Sequence, residues 1–320
     1  MYFVGHAPDF FDLMRRAKTM IKRTGTAWMG MALCLWAGSP ALAAGTVGAE
    51  FLRMGAGARG MSMGEGFSAL VDDATALYWN PGALATLENR SATLMHAKTI
   101  EDSFYDFGAY GQKLGGGGIG VGFQYYSAGS VDVTDNGGNK TGTSTPNDVA
   151  VLIGYGRQIG GFQAGVTGKF VQSTLVDKAS TFAGDAGLLT PWYLKNRVRL
   201  SATIVNVGGK LTYGQESTDL PMALRAGAGV RVMKNWLAGM DVVAPKGDDT
   251  YVGVGTEYKI PVGTTMGLAL RAGYNTQDRG GSDGISGGIG FRFEGLDVDY
   301  ALVTQGDFDA SHRVSVGLRF

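Results

Sequence analysis

The residue types beyond residue 43 that could carry chemistry are two histidines, scattered acidic turns and glycine-rich stretches, and their spacing argues against most of it. Beyond residue 43 the histidines are His96 and His312. Nucleophilic catalysis needs a serine within reach of a histidine whose ring a third group orients. Ser311 adjoins His312, but neighbouring residues of a strand point to opposite faces, so the two cannot act together. A metal centre fares no better, because the one cysteine is Cys34 and the histidines lie far apart. Gly55-Ala56-Gly57-Ala58-Arg59-Gly60 is a literal G-x-G-x-x-G, and Gly115, Gly117 and Gly120 form a second. Dinucleotide binding needs that motif between a buried strand and a helix, a context neither has. Asp132, Asp135, Asp248, Asp249, Asp307 and Asp309 could hold calcium, although Asp favours solvated turns for local reasons. No enzyme, metal or cofactor is expected. The 28 basic and 28 acidic residues form no polybasic face, which removes nucleic acid as a partner.

The elements that must position any site begin with an export signal. Lys22 and Arg23 precede an apolar run from Ala27 to Ala37, then Ser39-Pro40 and the small residues Ala41-Leu42-Ala43-Ala44, which predict cleavage after Ala43. The run is shorter than the ~20 residues that span a bilayer. Asp9 and Asp12 do not suit such a signal, so Met20 is the better start. Cys34 is removed with the signal, and the exported chain has no disulfide.

After Ala44 the dominant pattern is alternation. In Ile119-Gly120-Val121-Gly122-Phe123-Gln124-Tyr125, and again in Val314-Ser315-Val316-Gly317-Leu318-Arg319-Phe320, large apolar residues share one face and small or charged residues the other. A soluble sandwich and a membrane barrel both show this period. Segments near ten residues fit tilted membrane strands, which need 9 to 11, better than the usual ~5 to 6. About 14 segments can be placed, an even number as bacterial barrels have. They centre near 91–98, 104–112, 117–126, 147–158, 161–172, 181–189, 197–205, 221–233, 235–243, 250–259, 263–274, 283–293, 295–303 and 311–320. Tight turns at Leu114, Gly160, Lys234, Pro261 and Gly295 alternate with longer polar connections at 127–146, 206–219, 275–282 and 304–310. Short periplasmic turns and long outer loops alternate in this way, and Phe320 closes the last strand. The predicted fold is therefore an all-β transmembrane antiparallel barrel over 91–320, after a signal at 1–43 and a partly helical hatch at 44–90. The 53 glycines would let strands bend and leave space on the inner face.

The segment ahead of the first strand includes Phe51-Leu52, Gly55-Ala56-Gly57-Ala58-Arg59, Met63-Gly64, Asp72-Asp73-Ala74 and Tyr78-Trp79-Asn80-Pro81-Gly82-Ala83-Leu84. It resembles the amino-terminal signature of the PorV/PorQ family, outer-membrane proteins related to the FadL long-chain fatty-acid transporters. Pro81-Gly82-Ala83 departs from the family's Pro-Ala-Gly, which bears on the local turn. The likeness continues through Asn206-Val207-Gly208-Gly209, Val252-Gly253-Val254-Gly255, Leu270-Arg271-Ala272-Gly273-Tyr274 and His312-Arg313-Val314-Ser315. It implies a FadL-like barrel of 14 strands with a folded hatch in the bacterial outer membrane. In one branch it also implies service to type IX secretion, by receiving the carboxy-terminal signal domain of exported cargo.

Within that frame Phe51, Met54, Met61, Met63, Phe67, Tyr78 and Trp79 supply adaptable apolar surface for a gate. Asp72 and Asp73 precede a helix-like run that Asn80-Pro81 ends, and they read as its cap. The hatch follows an export signal and precedes the first strand, which suggests the periplasmic side. Lys169, Arg199, Arg225, Arg231, Arg271, Arg292 and Arg319 alternate with apolar residues and should face the lumen. Asp241, Glu257, Asp297, Asp299 and the hatch acids are their expected partners. Two functions of different classes follow: a docking or shuttle component in type IX-like protein export, or a FadL-like transporter of hydrophobic small molecules. The expected partners are outer-membrane lipid together with exported cargo and secretion machinery, or with a hydrophobic small molecule.

Overall fold

The computed structural model describes residues 47–100, 102–135, 137–175, 177–277, 284–305 and 308–320, so the expected signal at 1–43 and Asp307 lie outside it. Strands β1 (Ser91–Lys98), β2 (Phe104–Leu114), β3 (Gly117–Ser127), β4 (Val131–Thr134), β5 (Lys140–Ser144) and β6 (Asn147–Ile159) come first. They are followed by β7 (Phe162–Thr174), β8 (Lys178–Leu189), β9 (Val198–Gly208), β10 (Lys210–Tyr213), β11 (Glu216–Asp219) and β12 (Ala223–Met233). The last are β13 (Trp236–Pro245), β14 (Tyr251–Val262), β15 (Met266–Asn275), β16 (Gly284–Phe293), β17 (Leu296–Gln305) and β18 (Phe308–Arg319). All but β4, β5, β10 and β11 join one closed 14-strand antiparallel barrel, because β1 pairs with both β2 and β18.

Period two decides what each strand buries. Along β6, Ala150 and Leu152 turn inward and are buried, while Val151, Ile153 and Tyr155 point outward. On β18, Ser311, Arg313 and Ser315 are buried inside, whereas Val314, Val316 and Leu318 are exposed. Outward apolar residues as open as Ile153 at 67 % and Phe182 at 72 % form the surface that a bilayer covers. Among the described residues no helix is long and apolar enough to cross a membrane.

Two details differ from the sequence reading. Pro261 is not in a turn: it lies within β14 opposite Gly267, and the chain reverses beyond Val262, with Gly263 at φ 67°. A strand position whose N–H has no ladder role tolerates proline. The long connections after β3 and β9 are not plain loops, since each carries a small hairpin, β4–β5 and β10–β11. These strands have four or five residues and are mostly polar, too short for alternation to stand out.

Residues 47–90 occupy the lumen. They hold only short helical pieces: Glu50–Arg53, α1 (Ala58–Met61), α2 (Ala76–Trp79) and Pro81–Thr86. The inner wall meets them through glycine. A Cβ on Gly64 would lie 2.6 Å from the backbone of Tyr274 and Val254, and one on Gly82 would lie 2.7 Å from the Gln163 carbonyl. Side chains on either would drive the segment off the wall. The Pro81-Gly82-Ala83 order thus puts glycine where the wall is nearest, and the Asn80 side chain accepts a 3.0 Å bond from the Gly82 N–H to start that last helical piece.

Candidate functional site

The lumenal segment runs from the long-loop end of the barrel to the short-turn end. Its start is held among the outer loops: the Gly48 N–H donates to the Asp219 carbonyl at 2.9 Å, and Arg53 pairs with Asp248 at 3.0 Å. Arg313 reaches from β18 to donate to the Met54 carbonyl. A cavity of about 350 Å³ opens here beside Phe51, Met54 and Arg313. Sequence order suggested a hatch on the periplasmic side. Order fixes where the segment joins β1, but the burial of its apolar residues requires the full length of the lumen.

The middle of the segment is dry. Met61, Met63, Phe67, Leu77 and Trp79 are at most 2 % exposed, and Phe51 and Tyr78 are also buried. Met54 is partly buried against the same cluster. Trp79 makes edge-on contacts with Phe67 at 5.8 Å and Tyr78 at 5.1 Å, and Tyr78 meets Phe107 of β2 at 6.3 Å. Both polar tips are satisfied within the segment, since Trp79 Nε1 donates to the Ala56 carbonyl at 2.8 Å and the Tyr78 hydroxyl accepts from the Gly55 N–H at 3.0 Å. The gate candidates Phe51, Met54, Met61, Met63, Phe67, Tyr78 and Trp79 therefore share one packed core.

Asp72 and Asp73 do not cap a helix as expected. The turn α2 starts at Ala76 after Thr75, which makes no side-chain cap, and Asp73 accepts instead from the Thr75 N–H at 2.9 Å. Asp72 is an ion-pair residue, 2.6 Å from Arg59 and 3.1 Å from Arg319.

Charges join segment and wall. Glu257, fully buried on β14, accepts from Arg59 at 2.8 Å and 3.0 Å and from Arg271 at 2.7 Å. Arg271 continues to Asp299 at 2.7 Å, and Arg319 reaches Asp297 at 3.3 Å, which also holds Arg292. On the opposite wall Arg225 lies 3.3 Å from Asp241, whose carboxylate takes the Ser68 hydroxyl at 2.8 Å and the Ser68 N–H at 3.0 Å. Lys169 pairs with Asp185 at 2.8 Å. Arg59 and Asp185 were not singled out from sequence. An arginine among small residues in Ala58-Arg59-Gly60, and an acid at an inward position of β8, were the available signals.

Two lumenal arginines depart from the expected pairing. Arg199 and Arg231 take no carboxylate partner among the described residues. Their guanidinium carbons lie 5.5 Å and 3.8 Å from the Trp192 ring centre, and Arg199 Nε donates to the Thr190 carbonyl at 3.1 Å. They border a cavity of about 550 Å³ at the short-turn end. A second cavity of about 270 Å³ there is bounded by Arg59, Glu257, Lys259, Arg292 and Arg319. Among the described residues no group of three His, Cys, Asp or Glu could hold a metal ion.

The same fold occurs in solved outer-membrane proteins. The toluene transporter TodX of Pseudomonas putida aligns with a TM-score of 0.57 at 12 % identity, covering 82 % of this chain and 96 % of that one. A FadL homologue of Pseudomonas aeruginosa gives 0.51 at 12 % identity, with 82 % and 97 % covered. The toluene transporter TbuX of Ralstonia pickettii gives 0.50 at 13 %, with 83 % and 98 % covered. A comparison with curated proteins returned no match. The model of the family described as type IX secretion system protein PorV matches residues 41–244, and the chain belongs to that family of outer-membrane β-barrel proteins.

Proposed function

We propose that this barrel is a non-enzymatic docking or shuttle component of protein export, in a type IX-like system. The observation that carries the reading is the lumen: packed side chains and ion pairs fill its middle, and of the two cavities at the short-turn end one is bordered by Arg90, Arg199, Arg231 and Arg319 and the other mixes charged residues with apolar ones such as Met266 and Leu268. A transporter of hydrophobic molecules needs a continuous apolar path. A filled, wall-bonded lumen suits a barrel that works through its surfaces, and membership of the PorV family supports that use. In this reading residues 48–84 act as a plug and gate, with Asp72, Asp73, Asn80 and Pro81 shaping its lower half. Of the paired lumenal charges, Arg225, Asp241 and Arg319 bond the segment directly, and Lys169, Arg271, Arg292, Asp297 and Asp299 pair along the wall around it.

The test is deletion of the gene in its host. Cargo proteins that share a carboxy-terminal signal domain should then accumulate in the periplasm, and normal export would refute the reading. The fold shared with toluene transporters supports a second reading, uptake of a hydrophobic small molecule. Its signature is loss of uptake of a labelled aromatic hydrocarbon in the same strain with export intact.

A further inference from the structure

Arg59, Arg225, Arg271, Arg292 and Arg319 each pair with a carboxylate, whereas the two arginines beside Trp192 pair with none among the described residues. Arg199 of β9 sits opposite Gly229 of β12, and Arg231 lies two residues beyond that partner on the same strand. Both therefore occupy the same inner face, in the diagonal relation that places long side chains within reach of each other. Two like charges in such a relation repel, and partial burial sharpens the cost. Arg199 is 7 % exposed, so water relieves little of its share.

The surrounding groups do not supply the missing charge. Asp72 borders the same cavity, but Arg59 and Arg319 already hold it at 2.6 Å and 3.1 Å. Glu88 on the rim is exposed and makes no ion pair among the described residues. Arg90 adds a further positive charge to the lining. The cavity thus has an excess of positive charge at its inner wall and room for a small solute, about 550 Å³.

We propose that Arg199 and Arg231, braced against Trp192, form a phosphate-binding site at the periplasmic mouth of the lumen. Guanidinium groups bind oxyanions through paired N–H donors. Two unneutralised guanidiniums match a phosphate monoester, which carries about −1.5 to −2 at pH 7, better than a carboxylate with its single charge. Trp192 fixes the Arg231 plane by stacking, so less side-chain freedom is lost when the anion arrives. The ligand class is inorganic phosphate or the phosphate monoester head of an organic molecule, lipid included. The site is independent of whether the barrel serves export or uptake.

The experiment uses the full chain, purified in a nonionic maltoside detergent and titrated with inorganic phosphate by calorimetry and by ³¹P line width. One site per barrel is expected, with affinity rising as pH passes the second ionisation of inorganic phosphate and the doubly charged anion becomes the main species. Arg231→Gln and Arg199→Gln should each weaken binding about tenfold or more, and Arg231→Lys by less. Gel mobility before boiling checks that each variant is assembled. Absence of phosphate binding to the unaltered protein overturns the proposal whatever the variants do. Binding that persists in the double Gln variant, or acetate binding as tight as phosphate, overturns it as well. Phosphate binding that appears only in Glu88→Gln does so too, because Glu88 would then be the native partner. Parallel titrations with glycerol 3-phosphate and a short-chain phosphatidic acid identify the source: tighter binding of the lipid assigns a headgroup, and equal binding a soluble phosphate.

Discussion

Replacing Glu257 by Gln tests whether buried charge holds the lumenal segment. Glu257 takes Arg59 from the segment and Arg271 from the wall, with no exposure of its own side chain. If the segment leaves, Arg271 keeps both Glu257 and Asp299, so only the Arg59 contacts distinguish the seated state from the released one. Removing one member of a buried pair costs ~3 to 5 kcal/mol. Arg59 retains Asp72 at 2.6 Å, and Gln retains an acceptor oxygen, which places the expected loss at the lower end, ~3 kcal/mol. At 1.4 kcal/mol per factor of ten, the released state gains on the order of a hundredfold in population. The readout is cleavage of residues 48–84 by a small protease added to purified barrels, followed by mass, alongside conductance in planar bilayers. Cleavage should accelerate and conductance rise while the unboiled barrel keeps its mobility. An assembled Glu257→Gln barrel with unaltered cleavage and conductance would refute the role given to this network. An Arg59→Met, Glu257→Gln double variant should cost less than the two single changes summed, because neither charge is then left alone.

Trp79→Ala removes the largest side chain of the buried segment and should lower its stability by ~3 to 5 kcal/mol, seen as rapid proteolysis of 48–84 with the barrel intact. Gly64→Val should prevent seating, since its Cβ meets wall backbone, while Gly142→Ala, with nothing within 4 Å, should be silent in the same assay. Val316→Arg places a charge on the outward face and should reduce assembly by ~2 to 4 kcal/mol near the midplane. Gly317→Arg enters the lumenal cavity and should cost less; equal losses would invert the assigned faces. Hydrogen bonds from Lys246 and Lys210 hold the Asp219 carboxyl of the β10–β11 hairpin below the usual range. A depressed carboxylate contributes stability above its unfolded pKa of about 4 and loses it as pH falls through the folded value. Amide exchange in this hairpin should therefore stay constant from neutral pH to about 4, after correction for intrinsic rates, and quicken only in stronger acid.

The barrel was legible because its physics is local. Alternation in stretches such as 147–158 and 311–320 needs no knowledge of partners, and it placed all the barrel strands within a few residues. Inward parity likewise identified Arg225, Arg271 and Arg319 as lumenal. Partners were less accessible, because parity gives a face and not a neighbour: Arg59 and Asp185 went unnoticed, and Arg199 and Arg231 were expected to be paired. The path of residues 47–90 was hidden for a related reason. Their short helical pieces are set by contact with the wall, through glycines such as Gly64, and no periodicity in the segment encodes that contact.

The closing seam constrains how the molecule is made. β1 and β18 register Ser91 with Arg319 and Lys98 with His312, joining opposite ends of the barrel sequence, so the ring remains open until the last strand has been delivered. Once it is shut, Trp79, Phe67 and the methionines fill a lumen whose walls they already touch. The amino-terminal segment also extends as far as Asp219 and Asp248 among the outer loops. Insertion through a finished ring would drag those bulky groups past wall backbone spaced for glycine. Biogenesis must therefore wrap the sheet around the segment, with residues 47–90 carried across the membrane alongside the growing hairpins. A chain whose seam zipped too early would be an empty ring trapped with its plug outside.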